Sequence, residues 1–326
     1  MRRLGKLVVL AVGVLLVGGG IAVFYYIDHF DSPGPLAADT IVFIPPGAGL
    51  EGIAERLDEA GIIADPLLFR VGVQALRSAR DLQAGEYLVP AGASMRRVMD
   101  LLLSGKTVVR KLTLPEGLTS AEAAALVAEA EGMEGEVGQV PPEGSLLPET
   151  YYYGRGDSRA GMIARMQRAL DETLDTLWPK RRSGLPITTR REAVILASIV
   201  EKETAVSDER PVVASVFINR LRKRMRLQSD PTVAYVLSSG SGPLGRDLTR
   251  RDLETPDPYN TYLNAGLPPG PIANPGRASL EAVLKPADTK YLFFVADGNG
   301  GHAFAETLEE HNRNVARWRK IRSQRE

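Results

Sequence analysis

From Leu7 to Ile27 the chain carries no charged residue across 21 mostly apolar positions. Such a run spans roughly 30 Å as a helix and predicts a transmembrane segment. Beyond it the apolar positions break into short runs. Thr40 to Ile44 and Gly85 to Val89 read as strands, with the turn Pro45 to Gly49 after the first. Ile53, Leu57 and Ala60 recur at helical spacing up to Gly61. A second helix from Pro66 to Leu76 carries Leu67, Val71 and Leu76, and a third from Ser94 to Leu103 presents Val98, Leu101 and Leu102 before Gly105. Short strands around helices predict a small α+β domain over residues 40–110.

The pattern then changes scale, and residues 111–326 read as a larger α+β domain. Lys111 to Thr113 is strand-like, and Ser120 to Ala130 is an alanine-rich helix. Gly132 to Gly144 is a surface loop, and Ile163, Met166, Leu170, Leu174 and Leu177 mark an amphipathic helix. At the centre lies Arg190 to Thr204. Thr189 with Glu192 forms a capping box, and Ala193 to Val200 is apolar nearly all round, which predicts a buried helix. A helix capped at Ser207 or Asp208 runs to Arg222, and Asp230-Pro231 starts another, the acid as N-cap and proline at the first helical position. The proline- and glycine-rich stretch Pro256 to Pro275 forms a rigid irregular loop. Tyr291 to Ala296 is a strand, and Glu309 to Arg322 is a closing basic helix with Val315, Trp318 and Ile321 inward.

The central helix ends on two acids. At about 100° per residue Glu201 shares a face with Val194, Ala197 and Ser198, whereas Glu203 points the opposite way. A carboxyl among apolar neighbours at the negative end of a helix dipole resists ionisation, as a general acid near neutral pH must. The competing reading makes both acids solvated charges closing a core helix. Asp230 has a capping reading and a site reading. Gln228 and Ser229 fall in the turn before it, placed to donate to a ligand. Tyr259, Asn260 and Tyr262 are the natural polar contacts of the rigid loop. Glu149 and Tyr151 to Tyr153 read either as one wall of a sugar groove or as a strand with core and edge rings. His302, in the turn Asp297 to His302, reads as structural.

Composition narrows the chemistry. Forty basic and forty acidic residues among 326 leave no net field that would suggest a nucleic-acid partner. Without cysteine there is no disulfide, thiolate metal site or thiol nucleophile. His29, His302 and His311 are too scattered for a zinc site or a Ser-His-Asp triad, so no metal and no cofactor are expected. Arg2, Arg3 and Lys6 precede the apolar run and Asp28 and Asp31 follow it. By the positive-inside rule residues 1–6 are cytoplasmic, 7–27 cross the membrane, 28–39 form a linker, and the rest is exported. A cleaved signal peptide ending near Ala37-Ala38 is the rival; it exports the body equally.

Several stretches in order carry a resemblance: ASIVEKET (197–204), VASVFINRL (213–221), MRLQSDPTVAY (225–235), LETPDPYNTY (253–262), GLPPGPIANPG (266–276) and YLFFVADGNGGHAF (291–304). Over most of residues 111–320 the chain resembles the YceG-like (MltG-type) endolytic murein transglycosylases. The resemblance implies a bacterial inner-membrane protein, single-pass, that cuts peptidoglycan glycan strands between N-acetylmuramic acid and N-acetylglucosamine. The product would be a 1,6-anhydro end, terminating elongation of nascent strands beside the cell-wall synthases. It puts the catalytic acid on Glu201, with Gln228, Ser229, Asp230, Tyr259, Asn260 and Tyr262 contacting sugar and Glu149 and Tyr151 in support. The small domain resembles a LysM-like module. A water-using peptidoglycan hydrolase, with Asp230 or Glu203 as base, and a non-enzymatic anchored glycan-binding adaptor are the alternatives.

Overall fold

The computed structural model describes residues 2–324, whose contacts gather them into two compact units. One holds the chain through Arg110 together with Tyr153–Gly156; the other holds Lys111–Tyr152 and the chain from Asp157 onward.

In the first unit, helix α1 (Arg2–Asp31) contains an apolar stretch, Val12–Asp31, long enough to cross a membrane. The helix does not stop at Ile27. It continues to Asp31, where Phe30 is fully buried in the unit's core and Asp31 pairs with Arg96. The expected linker therefore begins inside the helix, because burying Phe30 keeps the last turn folded. Strand β1 (Thr40–Ile44), helices α2 (Leu50–Glu59) and α3 (Pro66–Ala75), strand β2 (Gly85–Val89) and helix α4 (Met95–Ser104) follow. β1 and β2 pair antiparallel, Val42 opposite Tyr87 and Ile44 opposite Gly85. Alternation turns Val42, Ile44, Tyr87 and Val89 onto Ile53, Leu57, Phe69, Val73, Val98 and Leu102. Asp65 and Ser94 cap α3 and α4 through backbone N–H groups three residues on.

The second unit is mostly helical. Strands β3 (Arg110–Thr113) and β4 (Thr150–Tyr153) form a short pair, and β5 (Phe293–Ala296) and β6 (His302–Ala305) an antiparallel hairpin. The helices are α5 (Ser120–Glu129), α6 (Arg159–Leu177), α7 (Arg190–Glu203), α8 (Arg210–Arg222), α9 (Asp230–Leu237), α10 (Arg277–Leu284) and α11 (Leu308–Arg322). α7 is the axis. Both halves of its capping box form, Glu192 N–H to Thr189 Oγ1 at 3.1 Å and Thr189 N–H to Glu192 Oε2 at 3.0 Å. Every residue from Ala193 to Val200 is buried, against α8 and α10.

The end of the proline- and glycine-rich loop is core rather than rim. Residues 270–276 are all buried. Because such a chain segment lacks a ladder, its polar groups need side-chain partners. Ser198 Oγ accepts from Ile272 N–H at 3.0 Å. Asn274, fully buried, accepts from Leu146 N–H at 2.9 Å and donates to Leu118 C=O at 3.0 Å.

Candidate active site

The last turn of α7 sends three side chains three ways. Glu201 turns inward: its side chain is 4 % exposed and both oxygens are engaged. Oε1 accepts from Arg210 Nη2 at 3.1 Å and Oε2 from the Gly276 N–H at 2.8 Å. The same Arg210 Nη2 reaches Glu116 Oε2 at 3.1 Å, and Arg210 Nη1 reaches Ser207 Oγ at 3.3 Å. Partial burial, and then the neighbouring Glu201, push the Glu116 carboxyl above the usual carboxylate range. A Cβ at Gly276 would lie 1.8 Å from Glu116 Oε1, so any larger residue there would push the Glu116 side chain aside. The expectation of a Glu201 carboxyl free among apolar neighbours is therefore corrected. Arg210, nine residues on, turns into the same space as the face carrying Ser198 and Glu201, and the acid forms a clasp between α7, α8 and the 276 turn.

Lys202 donates to Gly117 C=O at 3.2 Å and lines an open cleft of about 300 Å³ with Thr119, Asp230, Tyr235, Arg246 and Ile272.

Glu203 points the other way, into a polar cluster. Its Oε1 accepts from Ser229 Oγ at 2.5 Å. Loss of water contact pushes its carboxyl up to about 7; the Ser229 hydrogen bond pulls it down, Asp230 pushes it up, and the Arg220 charge pulls it down again. Arg220 is buried and fixed by carbonyls, Nε to Leu292 C=O at 2.7 Å and Nη1 to Leu227 C=O at 2.6 Å. Ser229 is fixed in turn: its N–H donates to Thr261 Oγ1 at 2.9 Å, and Thr232 Oγ1 donates to the Ser229 carbonyl at 2.7 Å. A carboxyl that holds its proton near neutrality can donate it to a leaving oxygen and take another back.

The remaining candidates divide. Asp230 is the first residue of α9 and its side chain caps nothing. Its carboxylate accepts from Tyr262 OH at 2.5 Å, so the capping reading is corrected. Burial and the adjacent Asp230 push the Tyr262 hydroxyl well above its usual range. Ser229, Asp230 and Tyr262 thus join Glu203 in one cluster. Gln228 is exposed in the turn just before, in the left-handed region at φ 49°.

Asn260 is fully buried and spent on its own loop, Nδ2 donating to Leu253 and Thr255 carbonyls at 3.0 and 2.8 Å and Oδ1 accepting from Tyr262 N–H at 2.9 Å. It has no group left for a sugar, and that expectation is corrected. The Tyr259 ring lies 5.3 Å from that of Tyr235 and packs on the core. Tyr151 OH donates to Leu147 C=O at 2.7 Å, and Glu149 is exposed with its carbonyl accepting from Leu114 N–H. Tyr259, Tyr151 and Glu149 have no hydrogen bond to the Glu203 cluster.

His302 pairs with Glu209 (Nδ1 to Oε2 2.6 Å), which also accepts from His302 N–H at 2.8 Å and Thr204 Oγ1 at 3.4 Å. Sequence reading missed Arg210, Arg220, Glu116 and Asn274; no periodicity marks them, because their partners lie far along the chain. Among the described residues no group of three or more His, Cys, Asp or Glu is disposed to hold a metal ion.

The comparisons with known proteins agree with one another. The model of the YceG-like family matches residues 42–317. A Bacillus subtilis protein named endolytic murein transglycosylase is 32 % identical over 92 % of this chain and 90 % of its own length. A Streptococcus pneumoniae protein of the same name is 29 % identical over 93 % of this chain and 63 % of its own. The crystal structure of a yceG-like protein from Listeria monocytogenes superposes with a TM-score of 0.52 at 32 % identity, covering 84 % of this chain and 98 % of that one. With the matched segment running from the small unit's first strand into the closing helix, the chain belongs to the YceG-like family.

Proposed function

We propose that the chain is an endolytic murein transglycosylase, a lyase acting on peptidoglycan glycan strands, and that its acid is Glu203 rather than Glu201. The observation that carries the assignment is the Glu203 carboxyl, which holds its proton up to about pH 7 at the end of a buried helix while Glu201 is committed to Arg210 and Gly276. Protonated, Glu203 donates to the glycosidic oxygen as the C1–O bond breaks. Ionised, it accepts the proton of the muramoyl C6 hydroxyl while that oxygen closes on C1, leaving a 1,6-anhydro end and Glu203 protonated again. The nucleophile belongs to the substrate, so its effective concentration is high and no second carboxylate is required. Asp230, held by Tyr262, supplies negative charge near the developing oxocarbenium ion. Gln228 and the cleft lined by Lys202 and Tyr235 hold the sugars.

Single-pass anchoring through α1, with the body on the outer face of the cytoplasmic membrane, follows from the charges flanking the apolar run. The strand–helix–helix–strand order of the small unit supports a LysM-like reading and glycan contact there. Nascent strands would bring the enzyme beside the synthases that make them.

Digestion of purified glycan strands by the full chain in detergent, followed by mass spectrometry, tests the reading. Internal fragments ending in anhydro-muramic acid, lost in Glu203→Gln and retained in Glu201→Gln, are expected. Reducing muramic ends would instead mean a hydrolase with Asp230 as base. Unchanged activity in Glu203→Gln would remove Glu203 from the chemistry.

A further inference from the structure

Within the first unit, helix α3 packs against the end of α1. The two helices touch at Gly72, where a side chain would collide with Tyr26 Oη and with the Phe30 ring. Tyr26 lies next to the end of the apolar run Leu7 to Ile27. About 20 helical residues cover the roughly 30 Å of hydrocarbon in a bilayer, which sets Tyr26 at the outer boundary of that layer. A helix in contact with it is therefore at headgroup height. This placement rests on the single-pass anchoring through α1 proposed above.

The face that α3 turns to solvent is apolar. Leu67 is 65 % exposed, Val71 one turn on is 46 % exposed, and Leu76 just past the last turn is 45 % exposed. At about 100° per residue, Leu67, Val71, Ala75 and Leu68 follow one another round the helix to Gly72, so the stripe adjoins the side that meets α1. Phe69 and Val73, on the opposite side, enter the unit's core. That core holds Phe30, whereas Tyr25 and Ile27 are exposed. The body of the unit thus lies past the last turn of α1, and the Leu67–Val71 face looks back along α1. The stripe runs into a concavity of about 470 Å³ lined by Tyr25 and His29 of α1 and by Ile63, Ala64, Leu68 and Met95. Arg70 is held off the stripe by Glu51 at 3.1 Å. Arg77 and Arg80 follow the helix, exposed and in no ion pair among the described residues.

We propose that α3 is a second membrane contact, its Leu67–Val71 face lying in the interfacial layer of the bilayer that α1 crosses. Continuity favours lipid over a protein occupant. A bilayer surrounding α1 as far as Tyr26 already reaches the helix beside it, and lipid tails conform to a concavity that a rigid partner would have to match. Leu67 and Val71 enter the boundary between headgroups and acyl chains while Arg77 and Arg80 reach up to phosphates, as in an interfacial amphipathic helix. The small unit then keeps a fixed height above the membrane instead of turning freely on a linker.

The chain has no cysteine, so single cysteines can carry a nitroxide label in the full chain reconstituted into phosphatidylethanolamine–phosphatidylglycerol vesicles. The positions are Leu67→Cys and Val71→Cys, with Leu15→Cys in the apolar run and Glu55→Cys on the exposed side of α2 as references; all four side chains are exposed, and melting curves check folding. Spin relaxation by oxygen, which concentrates in lipid, is compared with relaxation by a water-soluble nickel chelate. The expected result is an oxygen-to-nickel ratio at 67 and 71 shifted from the Glu55 value toward the Leu15 value, at a depth of about 5–10 Å. Labels at 67 and 71 as open to nickel as at 55, with Leu15 in lipid, would overturn the contact and leave the anchor standing. Nickel access at Leu15 would remove the anchor and the contact with it. Shielding of 67 and 71 from both reagents would mean a protein covers the face, a second copy if the labels also broaden one another, and would overturn the assignment to lipid.

Discussion

Replacing Glu203 by Gln separates the two acids of α7 more sharply than any other change. The amide keeps the size of the carboxyl and an oxygen to accept from Ser229 Oγ, but it cannot ionise. In the folded chain the carboxyl is raised from 4.5 to about 7. At 1.36 kcal/mol per unit, that shift makes ionising Glu203 cost the native state about 3 kcal/mol relative to the unfolded chain. The sign is fixed by the raised value. Between the unfolded and folded pKa the native state binds more protons, so stability is highest below about 4.5 and falls as pH rises to about 7. Urea unfolding of the second unit at pH 5 and pH 8 should therefore show the wild type losing roughly 2.5 kcal/mol relative to Glu203→Gln. Turnover should respond in the same range. Since the protonated form is the donor, kcat declines above about pH 7, and the amide variant loses about 10²–10⁴-fold below that pH, with the gap narrowing above it. Parallel pH–stability curves for the two proteins would refute the reasoning, because they would mean the carboxyl ionises as freely folded as unfolded.

Other changes probe the supports. Ser229→Ala removes the hydrogen bond that lowers the Glu203 pKa, so the alkaline limb of the pH–rate profile should move to higher pH; an unmoved limb would remove Ser229 from control of the acid. Glu201→Gln weakens the Arg210 clasp and should cost about 1–3 kcal/mol in urea unfolding, with kcat kept within tenfold at temperatures where the variant is folded. Gly276→Ala sets a methyl group 1.8 Å from Glu116 Oε1; the exposed carboxylate must swing off Arg210, costing about 1 kcal/mol in the same assay. Asn274→Ala leaves Leu146 N–H without its acceptor in the core and takes one of two donors from Leu118 C=O, which keeps the backbone N–H of residue 274; the cost is about 2 kcal/mol, and calorimetry should show a melting point roughly 4–8 °C lower.

The local features were legible in the chain because they depend on near neighbours. The capping box at Thr189 and Glu192, the buried run Ala193 to Val200, the strands at 40–44 and 85–89 and the membrane-length apolar helix all rest on contacts within a few residues or on periodicity. Phe30 shows where that logic stops. It belongs to the apolar helix by pattern, yet its burial comes from α3 and α4, whose Gly72 and Arg96 meet its ring. Pro256 to Pro275 was legible as rigid, but the burial of its last residues, from Gly270 on, was not. Its satisfaction depends on Ser198, some 74 residues away, and on Asn274 reaching back to Leu118.

The choice between Glu201 and Glu203 has the same character. Helical geometry separates the two side chains by about 200° and makes their surroundings independent, but it carries no information about which surroundings each receives. Those are set by Arg210 and Gly276 on one side and by Ser229, Asp230 and Arg220 on the other. A carboxyl near the end of an apolar helix is therefore not enough to define an acid. The opposite outcomes here, one acid clasped by a guanidinium and the other raised toward neutrality, arise from residues up to 75 positions apart in the chain. Exchanging those neighbours, not the glutamates, is what would exchange their roles.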